Sequence, residues 1–240
     1  MLDKDKVKSF WDSRANTYQN LAFESIANLE QDPENLKLKI QLETEKVADY
    51  LGSVAGKTIL DLGAGVGQWS FRFAEAGAAS VTAVEYSVPL VEIGRAEAAR
   101  RGITNLFFEV SAAEQFHDGK TYDIVFISGL YVYMNDEQAA LLVSSLSEFC
   151  HPGTIVLLRD GTGIAGRHEI NNRMSEHLQS LYSAVYRTRD EYLDLFAGKG
   201  FSLLRDEDMF DEGCPLNKYP ETRLRIYLFA HGAQEGSCRE

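Results

Sequence analysis

Between Lys57 and Arg159 short apolar runs alternate with stretches of helical spacing, and this alternation restricts the fold more than any other feature of the 240-residue chain. The strand candidates are Lys57–Asp61 (KTILD), Ser80–Glu85 (SVTAVE), Asn105–Val110 (NLFFEV), Tyr122–Ser128 (YDIVFIS) and Thr154–Arg159 (TIVLLR). Helical patterns fill intervals at Gln68–Ala76, Val88–Arg101 and Asn135–Cys150. Strand then helix, repeated, predicts βαβ units and a parallel sheet covered by helices. Strands that are apolar throughout, rather than alternating, fit a sheet buried on both faces. The fold class is therefore α/β, doubly wound.

The flanks depart from strict alternation. The first fifty residues read as helices: Asp3–Asn20, then a second that begins after Asp32-Pro33 and runs to about Leu51. Proline suits a first helical turn, where its missing N–H costs nothing. After Arg159 comes a polar-aromatic insert at about 160–189, predicted helical around Glu169–Tyr186. A helix at Asp190–Lys199 and strands at Phe201–Asp206 and Arg223–Ala230 follow. Only a loop joins those two strands, which suffices for antiparallel neighbours. The expectation is a mostly parallel seven-stranded sheet with an antiparallel last strand. It carries an N-terminal helical lid (1–52), a core (53–232) with the helical insert after strand five, and a flexible tail (233–240).

Charge and cysteine content exclude several functions. With 24 basic and 36 acidic residues the net charge is −12. Such a chain is repelled by phosphate polyanions and anionic membranes, which disfavours both as partners. Three scattered cysteines (Cys150, Cys214, Cys238) do not suggest a disulfide framework, and no Cys or His pair has the spacing of a metal site. No run approaches the ~20 apolar residues of a membrane span, and the N-terminus lacks a signal-peptide core. The expectation is a cytoplasmic protein acting on a small molecule; the oligomeric state is left open.

The most informative stretch is Thr58–Trp69, TILDLGAGVGQW. An apolar strand ends in Asp61, a turn containing Gly63, Gly65 and Gly67 follows, and a helix begins. Glycines allow close backbone approach to a ligand, and the free N–H groups of the helix start attract a polar or negative group. A dinucleotide fingerprint needs G-x-G-x-x-G, but Gln68 and Ser70 stand where the third glycine belongs. An NAD-dependent dehydrogenase is disfavoured for that reason.

The form Asp-x-Gly-x-Gly-x-Gly resembles the first motif of the class I S-adenosylmethionine-dependent methyltransferases. Glu85 ends the second strand 24 residues after Asp61; the resemblance implies that it accepts both ribose hydroxyls of S-adenosylmethionine, with Tyr86 beside the adenine. Ser111 and Ala112 follow the third strand. The family often has an acid at the place of Ser111, which here would accept from the adenine amino group. Ser128, at the end of the fourth strand, falls where the family contacts the methionine part. His151-Pro152-Gly153 loosely resembles the family's turn before strand five. The resemblance covers Lys57–Arg159 by motif and Phe201–Ala230 by topology.

Three regions are expected around the transferred methyl group. The first is the N-terminal aromatic helix, which related enzymes use as a lid, with Tyr18 near the sulfonium and Trp11 toward substrate; plain docking of that helix gives the same pattern. The second is Gly129–Met134, where Tyr131 is a candidate for catalytic contact and Tyr133 for the acceptor pocket. The third is the insert. Arg159, Arg167, Arg173, Arg187 and Arg189 face only Asp160, Glu169 and Glu176 in sequence. That span is formally +2, while the other 19 basic and 33 acidic residues give −14. The first four arginines are candidates to hold a substrate anion, since the guanidinium fork grips carboxylate or phosphate. Asp160 and His168 are candidate bases, with His177 behind them. No Asn-Pro-Pro-Tyr or Asp-Pro-Pro-Tyr run follows the fourth strand, which removes the family's signature for planar amino groups. The reading is methyl transfer to an oxygen of an anionic or sugar-like metabolite, with S-adenosylhomocysteine as product and no metal. N-methylation of a small molecule, or a non-catalytic cofactor-binding partner protein, remains as the alternative.

Overall fold

The computed structural model describes residues 1–16, 23–30, 32–175 and 180–232. The helices are α1 (Lys4–Asn16), α2 (Phe23–Ile26), α3 (Pro33–Leu51), α4 (Gln68–Glu75), α5 (Val88–Arg101), α6 (Asp136–Leu146) and α7 (Arg189–Phe196). The strands are β1 (Thr58–Leu62), β2 (Ser80–Glu85), β3 (Leu106–Val110), β4 (Tyr122–Ser128), β5 (Cys150–Gly163), β6 (His168–Ser175), β7 (Ser180–Thr188), β8 (Phe201–Asp208) and β9 (Thr222–His231).

Strands β3-β2-β1-β4-β5 run parallel in that order. β9 pairs antiparallel with β5, and β8 antiparallel with β9, completing seven strands of the expected kind. Val81, Ala83 and Val84 of β2 and Val125, Phe126 and Ile127 of β4 are fully or almost fully buried. Both sheet faces are covered, and burial on both sides is what makes these strands continuously apolar. One core lies beneath α6 and α7, the other beneath α3, α4 and α5. The Asp32 side chain caps α3 by accepting from the Asn35 N–H (2.8 Å), with Pro33 in the first turn. No helix among the described residues is long and apolar enough to cross a membrane.

Two expectations are corrected. β5 runs on to Gly163 because β9 pairs with it from Ile155↔Ala230 to Gly163↔Thr222. Asp160 therefore sits inside the strand rather than beyond it. The insert is a β-hairpin, not a helix: β6 and β7 pair antiparallel from His168↔Tyr186 to Ser175↔Ser180. β7 attaches to the end of β5 through Thr162↔Arg187 and Gly163↔Thr188. The N-terminal residues and α1 pack against it: Leu2 and Val7 meet Val185, and Phe10 meets Tyr182 edge-on at 5.7 Å. Burial falls on Tyr182 and Ala184 on one face of β7 and on Val185 and Arg187 on the other, so both faces of the strand are covered.

Candidate active site

The carboxyl ends of the parallel strands open into one cleft of about 880 Å³. Its first part is the glycine turn. Gly63 has φ +76°, and a Cβ there would stand 2.9 Å from Leu130 Cδ1, so this position requires glycine. Gly63 and Gly65 line the cleft. Gly67 does not; at φ +86° it caps α4, and its expected ligand contact becomes a structural role. Gln68 and Ser70, which break the dinucleotide frame, both have work here. Gln68 Nε2 donates to the carbonyls of Phe23 (3.1 Å) and Glu24 (2.5 Å), holding α2 over the turn. Ser70 Oγ donates to Asp61 Oδ2 at 2.5 Å.

Glu85 closes this end. Its carboxylate is buried and accepts from the N–H groups of Gly65 (3.0 Å) and Ser87 (2.8 Å). Burial pushes its pKa up to about 7 against the pull of those bonds. Asp61 is likewise raised to about 7 by burial, opposed by the Ser70 hydrogen bond and reinforced by the charge of Glu85. Tyr86, Ser111, Ala112 and Ser128 line the same cleft. Ser111 N–H donates to the Glu85 carbonyl at 3.1 Å, which fixes the start of the β3 loop. From α1, Trp11 lines the cleft and meets Tyr133 edge-on at 5.3 Å. Asp12 accepts from Ser87 Oγ at 2.5 Å and so brings a second acid beside Glu85, a placement that sequence spacing did not signal. Tyr18 and His177 lie outside the described residues.

The other end of the cleft is walled by the hairpin. Tyr133, Tyr182, Tyr186, Asp160, His168 and Arg173 line it. Asp160 is fully buried; its two oxygens accept from the N–H groups of Tyr131 (2.7 Å) and Gly161 (2.8 Å). Burial raises its pKa to about 6. Tyr131 is corrected: its ring is fully buried against Tyr192 (6.1 Å) and Phe196, and its hydroxyl makes no contact with the cleft. Only its backbone serves the site, through Asp160.

The four candidate arginines separate sharply. Arg167 lies outside the cleft in ion pairs with Asp136, Glu169 and Glu191. Arg187 is 1% exposed and is a strut: it donates to the carbonyls of Tyr131 and Met134 (2.8 Å each) and to Asp136. Arg159 lines the cleft but is engaged by Glu43 and by Ser128 Oγ. Arg173 alone of the four has no side-chain hydrogen-bond or ion-pair partner among the described residues. Substrate contact is thus corrected for Arg167 and Arg187. Replacing Arg187 by Met removes charge-assisted bonds and strands two carbonyls; about 3 kcal/mol is expected to be lost. At this chain length that lowers the melting temperature by roughly 6–12 °C in a calorimetric scan.

Among the described residues no cluster of three His, Cys, Asp or Glu could hold a metal ion. A family model described as a methyltransferase domain matches residues 59–153, the glycine turn and the four strands around it. The architecture matches the class I S-adenosylmethionine-dependent methyltransferase fold. Phosphoethanolamine N-methyltransferase 1 of Triticum aestivum is 28% identical over 162 residues, covering 66% of this chain and 31% of that protein. The chain therefore spans less than a third of the curated relatives it matches. Magnesium protoporphyrin IX methyltransferase from Synechocystis PCC 6803, with bound SAM, superposes with TM-score 0.68 at 19% identity, covering 96% of this chain and 98% of that one. Haemonchus contortus phosphoethanolamine N-methyltransferase 1, in complex with phosphoethanolamine and S-adenosylhomocysteine, gives TM-score 0.71 at 17% identity, covering 97% of this chain and 50% of that chain. At these identities the structural likeness speaks for the fold.

Proposed function

We propose that this chain transfers a methyl group from S-adenosylmethionine to an oxygen of a small acceptor of anionic or sugar-like character. The observation that carries the reading is the buried Glu85 carboxylate beside the glycine turn, at one end of a cleft that continues to the hairpin. The residues fit the cofactor. Glu85 offers a carboxylate to a vicinal diol, Gly63 and Gly65 leave room for close approach, and Tyr86 and Ser111 flank the place for adenine. Asp61 and Ser128 stand along the way to the methionine end. A cleft of about 880 Å³ has room for a nucleoside cofactor and a small acceptor together.

When bound, S-adenosylmethionine supplies an electrophilic methyl group on a sulfonium. The chain supplies orientation, which is worth roughly 7–11 kcal/mol when reacting atoms are held at near-attack distance. Trp11 and Tyr133 position the acceptor, and α1 covers it as a lid. His168 and Asp160 are the groups at hand for a proton if the acceptor must lose one; a base then contributes about 10²–10⁴-fold. The phosphoethanolamine bound to the nematode relative supports a small anionic acceptor. Because that relative is an N-methyltransferase, nitrogen is the second reading.

Methyl-labelled S-adenosylmethionine, the pure protein and an extract of the source cells test this. Label is expected in water-soluble metabolites retained by anion exchange. Label in macromolecules sinks the small-molecule acceptor. No label anywhere, despite tight binding of S-adenosylhomocysteine, favours a cofactor-binding partner protein.

A further inference from the structure

We infer that Arg173, set on the cleft lining by a bulge in β6, joins the tyrosine hydroxyls beside it in a site for an acceptor that carries an oxyanion: a carboxylate, phosphate or phosphonate. The inference rests on the methyltransferase reading above and narrows its substrate class.

The bulge is visible in the pairing. His168 lies opposite Tyr186 and Ile170 opposite Ala184, and His168, Ile170, Tyr182 and Tyr186 line the cleft. Regular alternation would next bring Asn172 inward. The register instead slips between Ile170 and Arg173, so that Arg173 stands opposite Tyr182. Asn172 absorbs the extra residue at φ +51°, the only positive φ outside glycine among the described residues, and its N–H donates to Ser183 Oγ at 2.8 Å. Asparagine tolerates this conformation better than most residues. A bulge costs ladder hydrogen bonds, and such features recur beside active sites because they re-aim a side chain. The residue that takes the inward place is an exposed guanidinium on the cleft lining, beside Met174 and Ser175, with no side-chain partner among the described residues.

The tyrosine hydroxyls of the same wall are also net donors. Tyr133 and Tyr182 hydroxyls lie 3.1 Å apart, and Tyr182 and Tyr186 hydroxyls 3.4 Å apart. Three hydroxyls carry three protons and two contacts use two of them. One proton is left to donate to water or to a bound group. Burial pushes all three hydroxyls to higher pKa, so they stay protonated at neutral pH. A guanidinium and a spare O–H together suit an anionic oxygen. An ammonium group at the same place would face a like charge.

The test is a calorimetric titration of the full chain, saturated with S-adenosylhomocysteine, at fixed ionic strength. Inorganic phosphate, methylphosphonate and acetate are the probes, so that phosphate-type and carboxylate oxyanions are told apart. At least one of them is expected to bind. Arg173→Gln is expected to weaken that binding at least tenfold and to leave S-adenosylhomocysteine affinity unchanged. Asn172→Gly, which keeps the left-handed residue, should retain oxyanion binding; Asn172→Val, which disfavours it, should weaken binding. Arg167→Gln is the control for a surface arginine and should change nothing. Equal oxyanion affinity in the wild type and Arg173→Gln, or no binding of any probe to the cofactor-loaded chain, overturns the proposal. Failure of S-adenosylhomocysteine itself to bind overturns the methyltransferase reading instead.

Discussion

Glu85→Gln is expected to weaken S-adenosylhomocysteine binding roughly 100-fold while the fold survives. The carboxylate is buried, at 5% exposure, and is held between the Gly65 and Ser87 N–H groups at the edge of the cleft. A ribose diol on it would make two hydrogen bonds to a charged acceptor. Losing the charge removes roughly 3 kcal/mol from the pair, and each 1.4 kcal/mol is tenfold in affinity. The glutamine keeps the volume and one accepting oxygen. Its NH₂ must then face either Gly65 N–H or Ser87 N–H, two donors that now share the carboxylate. That conflict costs about 1–2 kcal/mol, partly offset because no charge is buried any longer. Calorimetric titration and a thermal melt on the same samples separate the terms. A variant that melts many degrees lower yet binds S-adenosylhomocysteine as the wild type does would make Glu85 a support of the turn and nothing more.

Glu85 was legible in the sequence because its place follows from strand periodicity: a buried parallel strand must end where its apolar run ends, and an acid there faces the crevice. The same logic exposed β1 to β5. It failed in the insert, where Glu169–Tyr186 mixes polar and aromatic residues at spacings that suit either helix or strand. What decides for strands is tertiary: the free end of β5 receives β7, and α1 covers it. The tyrosines show the same limit. Tyr131 and Tyr133 are two apart after β4, and nothing local says which turns inward. A single 3₁₀ turn at Tyr131–Tyr133 sends the first into the core beside α7 and the second into the cleft. Arg187 was unreadable for another reason. Its partners include the main-chain carbonyls of Tyr131 and Met134, which no residue pattern announces. Arg173 was visible only as one basic residue among several. The one-residue slip that singles it out lies in the pairing, not in composition.

Between pH 5 and 7 the stability of the free chain and its affinity for S-adenosylhomocysteine are expected to move in opposite directions. Glu85 and Asp61 both titrate near 7 in the fold, raised by burial, against about 4 in an unfolded chain. In that window the folded state holds protons that the unfolded state has released. Stability therefore falls as pH rises from about 4 to 7, and these two acids contribute their full penalty above 7. Lowering the pH from 7 to 5 should raise the melting temperature of the ligand-free chain. Below that window the sign reverses, because Glu97, held near 2 by Arg100 and Arg101, and Asp206, lowered by Arg189 and Arg225, begin to lose their ion pairs. Binding follows the opposite course. A diol is best accepted by ionised Glu85, so each proton taken up must leave before the ligand is held. Affinity should fall toward tenfold per pH unit below 7 and level off above it. In Glu85→Gln this slope should largely vanish, leaving only what Asp61 contributes through its place beside the turn. A flat affinity profile for the wild type from pH 5.5 to 8 would remove Glu85 as the hydroxyl acceptor, whatever its burial.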